Sequence, residues 1–443
     1  MAQSEALLVV GELVVDYTLA QNGHPAKLRL GGVAHAARGL WAAGIAYSVA
    51  VFCPQYLVEE ARHYLAKLGC IDFICLGGVV GAPNVVLIGD VTEVSHQGYE
   101  DLMRKTKVAM FHDPLPPLGG YQKVIVFPGK FEIEKLANAL SDDAQISFDI
   151  AYDLDCLSYL EPFVGRLEAI IISTSSLLFM QRGHEDLESL LEEISLLSAK
   201  VFLLKENRGG SRLFHLLDGD VDEIPAVLSA TVNSVGVGDA YSSVMVGFSN
   251  RGWSEAAWRG SQAATAYSQS TFPDDIKRDL QRGLKLSVDV LKSLGGTILP
   301  WHERQNYSIY LAAPDFSYVD KQELESAVSC LEYHNFRVRR PIIENGELSR
   351  PASEADLSVA YHADCRLLDD CDAVFAVPLG RDPGTLVEIG MAISAGKPVI
   401  TYDPRGENKN TMLMVGSAVY SVSLDECLNG VFDAIANQIA RFP

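Results

Sequence analysis

Short apolar runs alternate with helix-like stretches along the first half of the chain. Runs such as "ALLVVGELVVD", "KVIVFPG" and "AKVFLLKE" have the composition of buried strands, and "VEEARHYLAKLG" has helical spacing with a glycine at its end. A helix between two strands allows them to run parallel, since the crossover then lies on one face of the sheet. The alternation therefore predicts an α/β fold in which helices cover both faces of a mostly parallel sheet.

The same alternation starts again near residue 307. The segment before it, "SLGGTILPWHERQN" (residues 293–306), lacks periodicity and is rich in Gly, Pro and polar residues, as linkers are. After it, "YSIYLAAPDF" predicts a strand, "DKQELESAVSCLEYHN" a helix and "FRVRRPII" another strand. With 443 residues the chain is too long for one ordinary core. We therefore predict two domains, residues 1–298 and residues 299–443.

The charge and cysteine content exclude several classes of partner. A formal net charge of -21 argues against nucleic acid and anionic membranes, because both are bound through Lys and Arg surfaces. A small anionic ligand stays open, since a helix N-terminus with one or two Arg residues can hold a phosphate. The 8 cysteines form no C-x-x-C pair, which indicates neither a zinc site nor a disulfide framework. No basic signal region and no apolar run of ~20 residues is present, so we expect a cytoplasmic protein acting on small molecules.

Two acids stand in the apolar segment "GRDPGTLVEIGMAISAGKPVITY", residues 380–402. Asp382 suits the N-cap of a helix, and Pro383 suits its first position, where no amide donor is needed. A capped helix explains Asp382 but not Glu388, whose charge in an apolar helix costs several kcal/mol unless it is paired or faces a polar cleft. Such carboxylates concentrate at functional sites, although structural ion pairs also contain them.

The residues around these acids resemble a known family. "IYLAAPDF", "HADCRLLDDCDAVFAVP" and "DPGTLVEIGMAISAGKPVITY" are similar to segments of the nucleoside 2-deoxyribosyltransferases and their deoxynucleotide N-glycosidase relatives. The spacing also agrees, with Asp364 eight residues before Asp372 and Asp382 six before Glu388. The resemblance implies a flavodoxin/Rossmann-like domain, no cofactor, Glu388 as the nucleophile, and Asp364 and Asp382 as groups that bind and protonate the leaving base. It also implies that Tyr310 lies beside the pocket.

The chemistry of this family accounts for the residue types. Glycosidic cleavage passes through an oxocarbenium-like state and uses one carboxyl group as nucleophile and another as acid. Water or a second base resolves the covalent intermediate, so hydrolase and transferase stay open, as do the identity of the base and the need for a 5′-phosphate.

"ENKNTMLMVG" is similar to a family segment that carries an Asn into a neighbouring subunit, which implies substrate binding by Asn410 and a homo-oligomer. An ordinary polar loop is the alternative for Asn410. "PLGRDPGTLVEIG" is also similar to the Gly-rich motif of the cytokinin-releasing phosphoribohydrolases, but it lacks their second glycine.

The first half contains a glycine motif, "TVNSVGVGDAYSSVMVGF". A Gly-x-Gly-Asp turn before an apolar helix presents backbone N–H groups to an anion. An Asp at such a helix start can take a proton from a hydroxyl that attacks a phosphate. A plain glycine turn with Asp239 as N-cap is the alternative. With "GELVVD", "GGVAHAARGLWAAG" and "LLKENRGGSRLF" in the same order, the chain resembles the ribokinase-like (PfkB) carbohydrate and nucleoside kinases, which implies an α/β/α domain.

The kinase resemblance assigns roles to ten residues and a cofactor. It implies that Asp239 is the catalytic base and that ATP and Mg²⁺ bind if the domain is active. The remaining assignments are an anion hole (Gly236, Val237, Gly238), contacts to sugar hydroxyls (Asp16, Gly31, Gly32) and the border of the ATP site (Lys205, Gly209, Gly210).

Three features depart from the kinase pattern. His35 stands where the family has an Asn in the sugar site, and "FCPQYLVEE" replaces a usual Gly-Asp-Asp segment. The Asn-x-x-Glu element that organises magnesium and phosphate should fall near "IISTSSLLFM", which contains no acid. Phosphoryl transfer depends on positioning and charge neutralisation. We therefore expect a bifunctional enzyme of nucleoside or sugar metabolism, with a kinase-like domain that acts only as a sensor or scaffold as the alternative.

Overall fold

The structure is a computed structural model that describes residues 6–20, 25–96, 98–151, 154–348 and 351–441. Two compact units make up the chain. The first comprises Met1–Thr92, Gln97–Val227 and Thr231–Ile298, and the second comprises Glu93–His96, Leu228–Ala230 and Leu299–Pro443. Among the described helices, none combines the length and the apolar character that crossing a membrane requires.

The first unit is built on a 13-stranded sheet. Its central strands run parallel, as the alternation predicts, and antiparallel strands pair at both edges. The order is β13-β12-β11-β10-β9-β8-β1-β3-β4-β7, with β2 and β5 on β1 and β6 on β5. The strands are β1 Leu7–Thr18, β2 Lys27–Gly32, β3 Tyr47–Cys53, β4 Phe73–Val80, β5 Val85–Ile88, β6 Glu100–Asp101, β7 Val108–Phe111, β8 Lys123–Val126, β9 Gln145–Ile150, β10 Leu167–Ser173, β11 Val201–Lys205, β12 Ser211–His215 and β13 Val221–Ile224.

Nine α-helices pack around this sheet in the described part of the first unit. Strand β3 is buried at every residue, as expected for a strand covered on both faces. The approach of two helices depends on Gly39, because a Cβ there would lie 3.0 Å from the Cα of Ala240. The helices are α1 Val33–Ala43, α2 Val58–Lys67, α3 Ile133–Ala139, α4 Leu177–Arg182, α5 Leu187–Ser195, α6 Val237–Gly247, α7 Trp253–Ser268, α8 Pro273–Gly283 and α9 Val288–Leu294.

Strand β1 takes part in two pairings along its length. Its first half pairs in parallel with β3 and β8 in the central sheet. Its second half leaves these neighbours and pairs with β2 and β5. This register sets Asp16 opposite Arg29 on β2, beyond the edge of the central sheet. The second half of β1 therefore places the Asp16 carboxylate near the carboxyl ends of the parallel strands.

The second unit contains a separate five-stranded sheet in which all strands are parallel. The order is β15-β14-β16-β17-β18, so the chain passes to opposite sides of β14 in its first two steps. The strands are β14 Ser308–Ala312, β15 Arg337–Arg339, β16 Ala373–Ala376, β17 Val399–Tyr402 and β18 Val419–Ser421. The helices are α10 Trp301–Arg304, α11 Gln322–Tyr333, α12 Pro341–Asn345, α13 Glu354–Asp370, α14 Pro383–Ser394, α15 Thr411–Gly416 and α16 Leu424–Arg441.

Two local predictions in this region differ from the structure in part. The "FRVRRPII" strand is only three residues long, because Pro341 begins α12 directly after it. Proline has no amide to donate to a sheet, and its fixed φ suits the first turn of a helix. The segment predicted as a linker contains the helical turn α10, in which Trp301 and Arg304 are buried.

Candidate active site

The second unit brings its acidic residues to the carboxyl edge of the sheet between β14 and β16. In open α/β sheets, ligands bind where successive connections leave a strand to opposite sides. Here that point lies between β14 and β16, because β15 follows β14 on one side and β16 on the other. Tyr310 lies on β14, and Glu388 lies on α14, which follows β16. The strand order therefore explains why residues 78 positions apart meet.

The Tyr310–Glu388 pair is the centre of this site. The Tyr310 hydroxyl donates a hydrogen bond of 2.7 Å to Glu388 Oε1, and the tyrosine is fully buried. Burial raises the pKa of Glu388 to about 7; the Tyr310 bond opposes the increase, while Asp364 and Asp382 add to it. Burial and the glutamate raise the pKa of Tyr310, so it stays a hydrogen-bond donor. Glu388 is thus a carboxylate that titrates near neutral pH in a fixed position.

Asp382 caps α14, as the sequence predicts. Its Oδ2 atom accepts hydrogen bonds from Thr385 N at 2.8 Å and Thr385 Oγ1 at 3.0 Å, and Pro383 occupies the first turn. Gly380 and Arg381 precede it with φ of 61° and 57°. This left-handed conformation is costly for arginine, and Arg381 Nε donates to Glu407 O at 2.9 Å. The loop therefore holds Asp382 at the head of the helix that carries Glu388.

Asp364 approaches the same site from α13. It lies close enough to contribute to the raised pKa values of both Glu388 and Tyr310. Asn345, the last residue of α12, donates a hydrogen bond of 2.8 Å from Nδ2 to Asp364 Oδ1. Asn345 is not predictable from the sequence, because a single polar residue in a short helix carries no signal. Asp372, the other acid of the sequence pattern, accepts from Ser308 N at 2.7 Å at the opposite end of β14 and so plays a structural part.

Asn410 occupies the N-cap of α15. Its Oδ1 atom accepts from Met412 N at 2.9 Å, and its side chain is exposed. No described contact joins it to Glu388 or Tyr310. The role of Asn410 in a neighbouring subunit therefore stays a prediction.

The glycine turn of the first unit, residues 236–239, begins α6. Gly236 has φ of 83° and is the N-cap, and a Cβ on it would lie 2.1 Å from Cγ of His35. Only glycine fits here, because both the backbone angle and the imidazole ring exclude a side chain. Asp239 lies in the first turn of α6, and burial and then Asp149 raise its pKa to about 7, while Lys205 opposes the increase.

Lys205 lies against this turn. Its Nζ atom donates to Asp149 Oδ2 at 2.8 Å, to Ser242 Oγ at 3.0 Å and to Gly238 O at 3.4 Å. Gly209 ends a turn beyond Lys205, and Gly210 follows with φ of 89°. The structure therefore places Lys205 against the glycine turn, and its predicted role at the border of an ATP site stays a prediction. Asp149, which carries no signal in the sequence, lies on β9, two strands from Lys205 on β11.

Asp16 is bonded to side chains of the protein. Its Oδ2 atom lies 2.8 Å from His35 Nε2 and 3.4 Å from Arg29 Nε. His35 Nδ1 lies 2.7 Å from the Tyr267 hydroxyl and 3.1 Å from Arg38 Nη1. Burial lowers the pKa of His35 to about 4, so the neutral ring donates from Nε2 to Asp16 and accepts at Nδ1. We call these five residues the Asp16 cluster.

Gly31 and Gly32 border the Asp16 cluster. A Cβ on Gly31 would lie 2.0 Å from Asp16 Oδ1, and one on Gly32 would lie 2.1 Å from Glu12 O. Close packing against β1 already requires glycine at both positions, so the presence of glycine there does not test the contacts to sugar hydroxyls. Those contacts stay predictions.

Comparison with known proteins finds one family model that matches part of the second unit. Residues 309–421 match the family model "Nucleoside 2-deoxyribosyltransferase". The matched range contains Tyr310, Asp364, Asp382, Glu388 and Asn410. The matched range thus includes all the acidic residues that the structure gathers around Glu388. No curated protein sequence matches the chain significantly.

The first unit is similar to kinases of known structure. Ribokinase from Giardia lamblia is 14% identical with a TM-score of 0.47, over 64% of this chain and 99% of that chain. Ribokinase from Arabidopsis thaliana, solved with ribose and ATP, is 14% identical with a TM-score of 0.45, over 64% and 100%. Adenosine kinase from Sinorhizobium meliloti is 14% identical with a TM-score of 0.47, over 63% and 99%.

Proposed function

We propose that the region of residues 309–421, which matches the deoxyribosyltransferase family model, cleaves the N-glycosidic bond of a 2-deoxyribonucleoside or its nucleotide. The observation that carries this proposal is the Tyr310–Glu388 pair at the switch point of the sheet. The Glu388 carboxylate bonds to the anomeric carbon as the carbon–nitrogen bond breaks, and the base leaves with a proton from Asp364 or Asp382 in its acid form. The product is a deoxyribosyl ester of Glu388, which water or a second base then resolves.

Base release tests this function directly. The full chain is incubated with a panel of 2′-deoxynucleosides and their 5′-monophosphates, and released base is measured by chromatography with and without an acceptor base. Release without acceptor identifies a hydrolase, and a new nucleoside formed with acceptor identifies a transferase. Absence of both products from every substrate would contradict the proposal.

The pH dependence should report the Tyr310–Glu388 bond. Glu388 attacks only as a carboxylate, so its titration gives the rate an acidic limb that rises with pH through about 7. In Tyr310→Phe the bond that stabilises the carboxylate is lost, so the pKa of Glu388 rises and the acidic limb moves to higher pH. We expect the rate at neutral pH to fall about tenfold or more, the value of a hydrogen bond to a charged group. Tyr361→Phe, an exposed tyrosine of the same unit, is the control, and an unmoved acidic limb in Tyr310→Phe would count against this assignment.

ATP-dependent phosphorylation by the first unit is a second candidate function. It is favoured by Asp239, which stands at the head of α6 with a pKa of about 7, close to the ideal for a general base at neutral pH. Binding without turnover is favoured by Asp16, which is 3% exposed and already bonded to His35 and Arg29. Consumption of ATP with a panel of sugars and nucleosides, compared between wild type and Asp239→Asn, separates the two. Consumption that Asp239→Asn leaves unchanged would exclude this site as its source.

We also propose that the protein forms a homo-oligomer through a surface of the second unit. Helix α15 exposes Met412 and Val415 at 80% and 79% of their surface, and Asn410 stands at its N-cap. Exposed apolar side chains grouped on one short helix mark an interaction surface. We expect a homo-oligomer in light scattering after gel filtration, and a shift to smaller species in Val415→Asp. Ser358→Asp, at an exposed polar position of α13, should leave the size unchanged, and a monomeric wild type would refute the expectation.

A further inference from the structure

A buried carboxylate that the proposed chemistry does not use follows β17. Asp403 is 2% exposed and comes directly after that strand. Its Oδ1 atom accepts hydrogen bonds from Glu407 N and Asn408 Nδ2, both at 3.2 Å. Its Oδ2 atom accepts from Asn408 N at 2.8 Å and from the Tyr420 hydroxyl. Four donors therefore fold the loop of residues 403–408 around one carboxylate at the carboxyl edge of the sheet.

The charge of Asp403 is held in place by this loop. Burial by itself raises its pKa, but the hydrogen bonds from Tyr420, Asn408 and the Glu407 amide outweigh burial and hold the pKa below 3.8. A loop at a sheet edge closes with backbone hydrogen bonds alone, whereas a buried charge is costly unless its oxygens are bonded. A carboxylate buried for the sake of one loop indicates that the position of that loop matters.

The turn before Asp382 is bonded to this loop at both of its ends. Asn408 Nδ2 donates to Pro378 O at 2.8 Å, in addition to its bond to the buried carboxylate. Arg381 Nε donates to Glu407 O at 2.9 Å. Pro378 and Arg381 are the first and last residues of the turn. The loop therefore fixes the segment that leads from β16 into Asp382.

This turn needs such a hold. Gly380 and Arg381 have φ of 61° and 57°, and the left-handed conformation is costly for a residue with a side chain. Strain of this kind persists only where the surrounding structure holds it, and it concentrates at functional sites. In Asp382, which follows, Oδ2 accepts two bonds from Thr385, and no described contact takes up Oδ1. The direction of Oδ1 therefore depends on how the turn before it is held.

We infer that Asp403 is a positioning residue for the glycosidic reaction: through the 403–408 loop it holds Asp382 with Oδ1 directed at the base. The inference rests on the function proposed above for residues 309–421, and it adds no catalytic group. Asp403 acts only through Asp382, since its own oxygens stay bonded to the loop. A misplacement of about 1 Å caused by a residue away from the chemistry can cost roughly a hundredfold in rate.

Base release by Asp403→Asn and Asp382→Ala, alone and combined in the full chain, tests the inference. Asparagine keeps the shape of Asp403 but turns an NH₂ group toward two of the donors, so the loop loses part of its anchor. We expect kcat/KM to fall about tenfold or more in Asp403→Asn. Made in Asp382→Ala, the same substitution should change kcat/KM less than about twofold, because no carboxylate is left to position. Asp370→Asn, at an exposed aspartate of the same unit, is the control and should behave as wild type does.

Arg381→Gly tests the link between the loop and Asp382 without a change to the buried carboxylate. Glycine adopts a φ of 57° without steric cost, so the turn keeps its backbone while the bond to Glu407 O is lost. We expect kcat/KM to fall about threefold or more, the value of a weak net hydrogen bond, and to stay unchanged in the Asp382→Ala background. This variant keeps the test valid if Asp403→Asn fails to fold.

Hydrogen exchange followed by mass spectrometry gives a readout that needs no activity. In Asp403→Asn the amides of residues 379–386 should exchange faster than in wild type, because the Thr385 amide bonds to Asp382. An equal loss of kcat/KM in both backgrounds, or an Arg381→Gly variant as active as wild type, would overturn the inference. Unchanged exchange over residues 379–386 would also overturn it. A wild type that releases no base contradicts the proposed function alone, since exchange still decides whether Asp403 holds Asp382.

Discussion

Replacement of Glu388 by alanine is expected to reduce base release by about a thousandfold or more, the scale of losing a catalytic nucleophile. The other two acids already serve identifiable partners: Asp382 accepts two bonds from Thr385, and Asp364 accepts one from Asn345. Glu388 instead receives its bond from the buried Tyr310 hydroxyl. Without the glutamate no described group remains at this position to bond to the anomeric carbon.

The measurement combines turnover with detection of the intermediate. Wild type mixed with substrate in the absence of acceptor should show a deoxyribosyl adduct by intact-protein mass spectrometry, and Glu388→Ala and Glu388→Gln should show none. Glu332→Gln, an exposed glutamate of α11, serves as the matched control and should keep full activity. An alanine variant that retains a tenth of the wild-type rate would assign the nucleophile elsewhere, and an adduct on another residue would identify where.

The acidic site of the second unit was largely predictable from its own sequence. Asp382 and Pro383 carry the chemistry of a helix start, and the structure confirms the cap. Glu388 is identifiable because an acid in an apolar helix is energetically costly unless it is paired or functional. Its partner Tyr310 is 78 residues away, and its position followed from the family resemblance. Asn345 carried no signal, because its bond to Asp364 depends on how α12 and α13 pack, which no local pattern encodes.

The first unit shows the limit of sequence patterns more clearly. Motif order placed Asp16, His35 and the glycine turn near one another, but it could not show what each side chain contacts. The Asp16–Arg29 contact depends on the register of β1 and β2, and register is set by tertiary packing. The Lys205–Asp149 pair joins residues 56 apart on two strands that are not direct neighbours in the sheet. Chemistry at this site is therefore decided by contacts that only the folded chain reveals.

Asp16→Ala is expected to destabilise the first unit by about 3–5 kcal/mol, the cost of removing one partner of a buried charge pair. Burial by itself raises the pKa of Asp16, but His35, Arg29 and Arg38 together hold it below 3.8. Without the carboxylate, the guanidinium groups of Arg29 and Arg38 face each other's charge beside a neutral histidine. A residue kept only to contact a substrate would behave in the opposite way, since its removal leaves the unbound protein as stable or more stable.

Urea unfolding followed by tryptophan fluorescence measures this free energy, because three of the 4 tryptophans, Trp41, Trp253 and Trp258, lie in the first unit. Asp218→Ala, an exposed aspartate in the β12–β13 turn, should change stability by about 0.5 kcal/mol or less. The pKa of Asp16 is lowered in the folded state, so its contribution is full above about 3.8 and is lost as the pH falls below that value. The difference between wild type and Asp16→Ala should therefore shrink on acidification. A difference that stays below 1 kcal/mol at neutral pH would mean that the Asp16 cluster is not structural, and it would return Asp16 to the role of a substrate ligand.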